Sequence, residues 1–97
     1  MIHHVVMFRF RDGVTDDQVT GMHRAITAMP DAIDTIVEYR CGADLDLTDG
    51  TWDYALVGSF RTWDDYEVYR DHPVHQSILS DVISPLVAEK ARVQFET

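Results

Sequence analysis

Cysteine is almost absent from this chain, since Cys41 is the only one among 97 residues. A single cysteine cannot form an internal disulfide, which fits the reducing environment of the cytoplasm. The first residues lack a basic segment followed by a long apolar one, so we expect no signal peptide. No apolar run approaches the roughly 20 residues that a membrane-spanning helix requires, so we expect no membrane segment.

Positive charge is also scarce: the chain has 8 Lys and Arg residues and 17 Asp and Glu residues, so its net charge is −9. An acidic surface repels phosphate backbones and anionic lipids, so nucleic acids and membrane surfaces are poor partners. The sequence also lacks a glycine loop for phosphates, a nucleophile elbow and a cysteine pair. It therefore gives no support to a nucleotide-binding enzyme, a serine hydrolase or a cysteine-based metal site.

The composition is otherwise that of a globular protein, with 45% hydrophobic and 26% charged residues. A chain of 97 residues predicts one domain over residues 1–97. A domain of this size buries a modest fraction of its surface, so it gains stability from oligomerisation.

Apolar residues recur with two different periods along the chain. Segments in which apolar and polar residues alternate are predicted to be strands, and they cover residues 2–10, 35–41, 52–61 and 91–96. Segments with apolar residues at helical spacing are predicted to be helices, and they cover residues 15–30, 62–69 and 74–87. His72-Pro73 separates the last two helices, and Pro85 is expected to kink or end the third.

This order of elements predicts an α+β fold, a ferredoxin-like βαββααβ domain with an antiparallel four-stranded sheet. Helices would cover one face of that sheet, yet Val5, Met7, Ala55 and Val57 make the other face apolar as well. A bare apolar face is a liability in a soluble monomer. We therefore predict a homodimer that buries it. The alternative is that small residues such as Ala55 and Ser59 tolerate water.

Histidine and tyrosine side chains near the proline break are candidates for chemistry. His75 falls in the first turn of a helix, where the helix dipole disfavours a charged imidazole. A neutral imidazole is what a general base requires at pH 7. Tyr69 ends the preceding helix, and its phenol can donate to a carbonyl oxygen that gains negative charge. His4 and Tyr54 share strand faces with large apolar residues, so we expect both to point into a helix-covered cavity.

Structural interpretations of the same residues stay open. His72 before Pro73 is also typical of a helix cap, and His75 at a helix start can simply bond the nearby backbone. Tyr69 and Tyr54 are equally consistent with core aromatics whose hydroxyls are satisfied. His72 and His75 could be two metal ligands, but no third ligand has a suitable spacing, so we predict no metal site. His3 and His23 are interpreted as surface residues.

Three segments resemble the stress-responsive A/B barrel ("Dabb") family. They are His4–Phe10, Asp53–Val57 with Phe60, and the Y-x-x-H-P-x-H pattern from Tyr69 to His75. The resemblance covers the whole chain in the right order, and the histidine–proline–histidine element is its most specific part. It implies a homodimeric α/β barrel, and it also implies functional diversity, because fold membership does not settle function.

A plant polyketide cyclase of this family suggests roles for individual residues. The resemblance implies that Tyr69 and His75 match its catalytic tyrosine and histidine, and that His4 matches a supporting histidine. Two features differ: Tyr54 stands where that enzyme has a histidine, and His23 and Ile26 stand where it has two aromatic residues that line its tunnel. The resemblance therefore implies a different or smaller pocket.

These considerations predict a small-molecule-binding protein. If it is an enzyme, it would use cofactor-free acid–base chemistry, such as cyclisation or isomerisation of a carbonyl compound. The predicted catalytic residues are His75, Tyr69 and His4, and the predicted substrate-binding residues are Tyr54, Ile26 and His72. A non-catalytic stress-response or ligand-binding dimer is the first alternative, and an antibiotic-monooxygenase-like enzyme is the second.

Overall fold

The structure, a computed structural model, describes residues 1–97. Its strands are β1 (Ile2–Phe10), β2 (Glu38–Ala43), β3 (Tyr54–Phe60) and β4 (Val87–Glu96). Its helices are α1 (Asp16–Thr27), α2 (Met29–Ala32), α3 (Trp63–Asp71) and α4 (Pro73–Ile78), and α4 continues into a π-helical segment, Leu79–Ile83. None of these helices has the length and apolar character needed to cross a membrane.

The four strands form one antiparallel sheet in the order β2-β3-β1-β4. The first strand lies in the middle, so His4 has Gly58 of β3 on one side and Gln94 of β4 on the other. All helices lie on one face of the sheet. The predicted ferredoxin-like fold is confirmed.

Threonine side chains cap the starts of the two longest helices. The Thr15 hydroxyl accepts from the Gln18 backbone N–H at 3.2 Å, and the Gln18 side chain accepts from the Thr15 N–H at 2.8 Å. This reciprocal pair is a capping box, which satisfies two N–H groups that a helix start leaves free. The Thr62 hydroxyl caps α3 in the same way, by accepting from the Asp65 N–H at 3.1 Å.

Three predicted boundaries are wrong. Pro30 does not close the first helix but lies in the first turn of α2, where no N–H is needed from it. Val87 does not end the third helix, because the chain turns after Ile83 and Val87 already pairs with Phe10 as the start of β4. The last strand therefore begins well before residue 91.

The hydrophobic core fills the space between the sheet and the helices. Strand residues alternate, so one side of each strand points into this core. The core residues are Val6, Phe8, Met22, Ile26, Met29, Ile33, Tyr54, Leu56, Phe60, Tyr66, Tyr69, Ile83 and Leu86.

The opposite side of the sheet, which we call the outer sheet face, is also apolar. It is formed by Val5, Met7, Ala55, Val57, Ala91, Val93 and Phe95. No helix covers it, and Val93 and Phe95 are 55% and 49% exposed. The sequence prediction of a second apolar face is confirmed, and β4 makes that face larger than the sequence analysis proposed.

Candidate active site

A cavity of about 180 Å³ lies between strands β1 and β4 and helices α3 and α4. We call it the inner cavity. Its apolar lining includes Val6, Phe8, Leu56, Leu79 and Ile83, and its polar lining includes His4, Tyr39, Tyr69, His75, Lys90 and Arg92. The structure thus brings together the three predicted catalytic residues, which come from β1, α3 and α4.

His75 is held at the start of α4 by the end of the preceding helix. Its Nδ1 lies 2.8 Å from the carbonyl oxygen of Arg70, in the last turn of α3. Carbonyl groups at a helix end have no partner within the helix, so they attract side-chain donors. A carbonyl oxygen only accepts, which means that Nδ1 of His75 carries the proton. Nε2 is then left with a free lone pair.

The charge state of His75 suits a base. Burial lowers the pKa of His75 and the positive charge of Lys90 acts in the same direction, although the bond to Arg70 partly opposes both. The only fully enclosed side-chain N or O atom without a hydrogen-bond partner is Thr35 Oγ1. The unbonded Nε2 of His75 is therefore not fully enclosed, and His75 lines the inner cavity, where a neutral imidazole can take up a proton.

His4 is fixed in the opposite tautomer. The side-chain amide of Gln94, its neighbour across the β1–β4 pair, donates to Nδ1 of His4 at 2.8 Å. Because Nδ1 accepts, the proton of the neutral ring is on Nε2. Burial, followed by the charges of His75, Arg92 and Lys90, lowers the pKa of His4 to about 4. At neutral pH His4 is thus an uncharged hydrogen-bond donor.

Tyr69 connects the two histidines. Its ring lies 4.2 Å from the ring of His75 and 6.1 Å from the ring of His4, measured between centroids. Its hydroxyl lies 2.7 Å from that of Tyr39, whose hydroxyl also contacts Met29 Sδ at 3.6 Å. Burial raises the pKa of Tyr69 to about 12 and raises the pKa of Tyr39 as well. Both phenols keep their protons at pH 7.

The chain matches the family model of the stress-responsive A/B barrel domain, Dabb, over residues 2–97. It belongs to the Dabb family. The resemblance found in the sequence is therefore confirmed. Comparison with curated protein sequences finds no match.

Three solved structures place this Dabb domain among known folds. A dimeric ferredoxin-like protein of unknown function from Thermobifida fusca YX is 38% identical, with a TM-score of 0.92 over 99% of this chain and 90% of that chain. A hydroxynitrile lyase from Passiflora edulis is 16% identical, with a TM-score of 0.83 over 97% and 90% of the two chains. An antibiotic biosynthesis monooxygenase is 7% identical, with a TM-score of 0.79 over 100% and 98%. The last two share the fold alone.

The other three predicted site residues of the Dabb domain lie outside the inner cavity. The ring of His72 caps α4, since its Nδ1 accepts from the Val74 N–H at 3.1 Å. Ile26 is completely buried in the core. Tyr54 is also buried, and its hydroxyl lies 2.7 Å from Nδ1 of His23. The structure does not bring these side chains to the cavity, and His23, interpreted as a surface residue, is partly exposed and partly buried.

The sequence analysis missed several residues that the Dabb domain contributes to this site. Gln94, Lys90 and Arg92 occupy alternate positions on β4, on the side that faces the helices. Their polarity suggested a solvent-facing side of the strand. The signal that could have found them is register: in an antiparallel sheet that pairs β1 with β4, the residue opposite His4 must share its face.

A second, more open hollow of about 540 Å³ lies where the outer sheet face meets the loop after β2. Met7 and Ala55 line its floor, while Leu45 and Leu47 line the loop side. It holds no histidine, so it offers no counterpart to the base in the inner cavity. No group of three His, Cys, Asp or Glu side chains in the Dabb domain is arranged to hold a metal ion.

Proposed function

We propose that this Dabb domain is a homodimeric enzyme that carries out cofactor-free acid–base chemistry on a small carbonyl compound. The observation that carries the proposal is the opposite tautomers of two neutral histidines in one cavity. His75 presents a lone pair and His4 presents an N–H group. The hydroxynitrile lyase from Passiflora edulis shows that the fold can carry an enzyme, although fold alone does not transfer its reaction.

The proposed step is proton abstraction next to a carbonyl group. Nε2 of His75 takes the proton from the carbon atom, and the electron pair moves onto the carbonyl oxygen. The N–H of His4 donates to that oxygen as its negative charge grows. The hydroxyl of Tyr69 donates as well, provided that Tyr39 is the donor in the bond between the two hydroxyl groups. In an isomerisation, the His75 imidazolium then returns the proton at a different carbon atom. In a ring closure, the enolate carbon attacks a second carbonyl group of the same molecule, and the imidazolium gives its proton to the oxygen that becomes negative there. Neither reaction needs an oxidant or a reductant.

The homodimer is part of the same proposal. The outer sheet face is apolar and uncovered, and the relative from Thermobifida fusca YX at 38% identity is dimeric. Dimerisation through that face leaves the inner cavity open, because the cavity lies on the other side of the sheet. The net charge of −9 gives nucleic acids and membranes no attraction, and the single cysteine suits the cytoplasm.

The proposal is tested by hydrogen exchange in D₂O. Proton NMR follows the loss of the acidic C–H signal from a panel of small ketones and 1,3-dicarbonyl compounds. The protein should accelerate exchange of at least one compound, and His75→Gln should lower the rate by about 10²- to 10⁴-fold because the base is removed.

The matched control for this assay is His72→Gln. His72 caps α4 and does not line the cavity, so this variant should keep its exchange activity and lose about 1 kcal/mol of stability. Exchange that is equally fast in the wild type and in His75→Gln would contradict the proposal. No acceleration for any compound in the panel would favour the non-catalytic alternative.

One observation favours that alternative, a ligand-binding dimer with structural histidines. The cavity of about 180 Å³ is smaller than the ligand pockets of roughly 300–1,000 Å³ found in most proteins. It also restricts an enzyme to a compact substrate. The antibiotic-monooxygenase-like alternative stays a prediction, because that likeness extends to the fold alone.

A further inference from the structure

Two positive side chains stand at the inner cavity of a strongly negative protein. Only 8 of the 97 residues are Lys or Arg, and Lys90 and Arg92 both line this cavity. The lining contains no Asp or Glu, although the chain has 17 acidic residues. The distribution of charge around the cavity is therefore opposite to that of the whole molecule.

The strand register directs both side chains to the cavity. On β4, Lys90 lies opposite Phe8, and Arg92 lies opposite Val6, whose side chains line the cavity floor. β4 is an edge strand whose close packing is with β1, and no helix packs closely over it. The two cations therefore flank the apolar floor at the uncovered side of the cavity.

Neither cation has a carboxylate partner within 4.0 Å. In contrast, Arg9 pairs with Glu89 at 3.5 Å, and Arg70 pairs with Asp71 at 2.9 Å. Arg70 also lines the cavity, but its charge is already neutralised by that pair. Lys90 and Arg92 thus place positive charge at the cavity that also holds His4 and His75, without a carboxylate within 4.0 Å.

We propose that the ligand of the inner cavity is a small carboxylate with a compact apolar body, whose carboxylate group is bound by Lys90 and Arg92. The carboxylate ligand defines a substrate class for the proposed function. The two proposals share the inner cavity, and the ligand proposal rests on the proposed function in that respect alone. The apolar body would contact Val6, Phe8 and Leu79. Charge-assisted hydrogen bonds from the two cations would hold the carboxylate at the mouth.

The test compares two probes of nearly the same shape, phenylacetate and its uncharged counterpart phenylacetamide, by titration calorimetry at low ionic strength. Phenylacetate should bind the wild type about tenfold more tightly, since each exposed charge contact contributes modestly. The double variant Lys90→Gln/Arg92→Gln should bind both probes equally. Added salt should weaken the binding of phenylacetate and leave phenylacetamide unaffected.

The matched control removes two charges elsewhere, in Arg24→Gln/Arg61→Gln, whose side chains are exposed and do not line the cavity. This variant should keep the tenfold preference. Equal binding of the two probes by the wild type, failure of both to bind, or a preference that survives in the Lys90/Arg92 variant would each overturn the proposal.

Two measurements on the wild type separate this proposal from the proposed function. They are D₂O exchange, which depends on the base His75, and the preference for phenylacetate, which depends on Lys90 and Arg92. If D₂O exchange is absent while the preference holds, the anion site stands and the catalytic proposal falls. If exchange depends on His75 but the preference is missing, the anion site falls and the catalytic proposal stands.

Discussion

The two cavity histidines differ in tautomer because their partners differ in chemistry. His75 meets a backbone carbonyl, which can only accept, and His4 meets the amide of Gln94, which donates. Each contact uses Nδ1, so Nε2 of His75 keeps a lone pair and Nε2 of His4 carries a proton. Two residues of the same type can thus present a lone pair and an N–H group at the same pH, and neither needs a charge.

At the scale of a residue, His4 predicts how stability depends on pH. The pKa of His4 is about 4 in the folded protein and 6.5 in its unfolded reference state, so the unfolded chain takes up the proton first. The contribution of neutral His4 to the free energy of unfolding is complete above pH 6.5 and is lost as the pH falls through about 4. We expect this loss to be about 2 kcal/mol, since the cavity admits some solvent.

Urea unfolding between pH 4 and 7 measures this effect. Protonation of the carboxylates changes the stability of both proteins alike. The wild type should lose more stability toward pH 4 than His4→Gln does, because only the wild type must also accommodate a protonated His4. His72→Gln serves as the control, since that ring caps a helix outside the cavity, and it should follow the wild type. If the His4→Gln and wild-type curves run parallel, the buried neutral state assigned to His4 is incorrect.

At the scale of an element, alternation and capping predicted most of the fold, while the polar side of β4 was misleading. Residues 2–10 alternate so regularly that their strand and its two faces followed directly, and Thr15 and Thr62 marked two helix starts. Lys90, Arg92 and Gln94 look like a solvent-facing strand side. Register places them on the helix side of the sheet, and they are still exposed because β4 lies at the edge.

The residues of the site were predicted only in part from the sequence. The spacing from Tyr69 to His75 crosses a proline break, so local sequence suggested that both side chains meet, and their rings do so at 4.2 Å. Tyr54 and Ile26 face the core side as expected, but neither one lines the cavity. Which core-facing residue borders a cavity depends on the packing of helices against the sheet, and periodicity does not encode that.

Gly58 of β3 lets the ring of Tyr39, a side chain of the inner cavity, pack closely against the sheet. A Cβ added at Gly58 would lie 3.1 Å from Cε1 of Tyr39, a ring held in place by its bond to Tyr69. Gly58→Ala should therefore destabilise the protein by about 1–3 kcal/mol, as overpacking does. Thermal unfolding measures the change, and weaker binding of phenylacetate would report the displaced Tyr39.

Gly42 in β2 provides the matched control, because a Cβ added there meets nothing within 4 Å. Gly42→Ala should be neutral or slightly stabilising, since alanine loses less backbone entropy on folding. Equal stability of the two alanine variants would show that Tyr39 yields without cost, and the support assigned to Gly58 would then be wrong.

At the scale of the whole molecule, the sheet separates two different surfaces. The helix side holds the core and the inner cavity, and the other side is the outer sheet face. Beside that face, the loop after β2 exposes Leu45 and Leu47, which are 77% and 80% accessible. A partner packed on the sheet would also cover these leucines. The proposed dimer and the proposed ligand site would therefore use different surfaces, so a variant could disturb one and spare the other.

The dimer itself is the last prediction. A stable pair should bury more than about 1,000 Å² in total, so light scattering at micromolar concentration should give twice the protomer mass of 11.1 kDa. Val93→Glu puts a charge on the β4 side of the outer sheet face and should yield monomers, because a buried unpaired carboxylate is costly. Val68→Glu is the control: Val68 is 49% exposed, close to the 55% of Val93, but lies on α3, so this variant should stay dimeric. A wild-type mass of 11.1 kDa, or a Val93→Glu protein that remains dimeric, would show that the outer sheet face is not the interface.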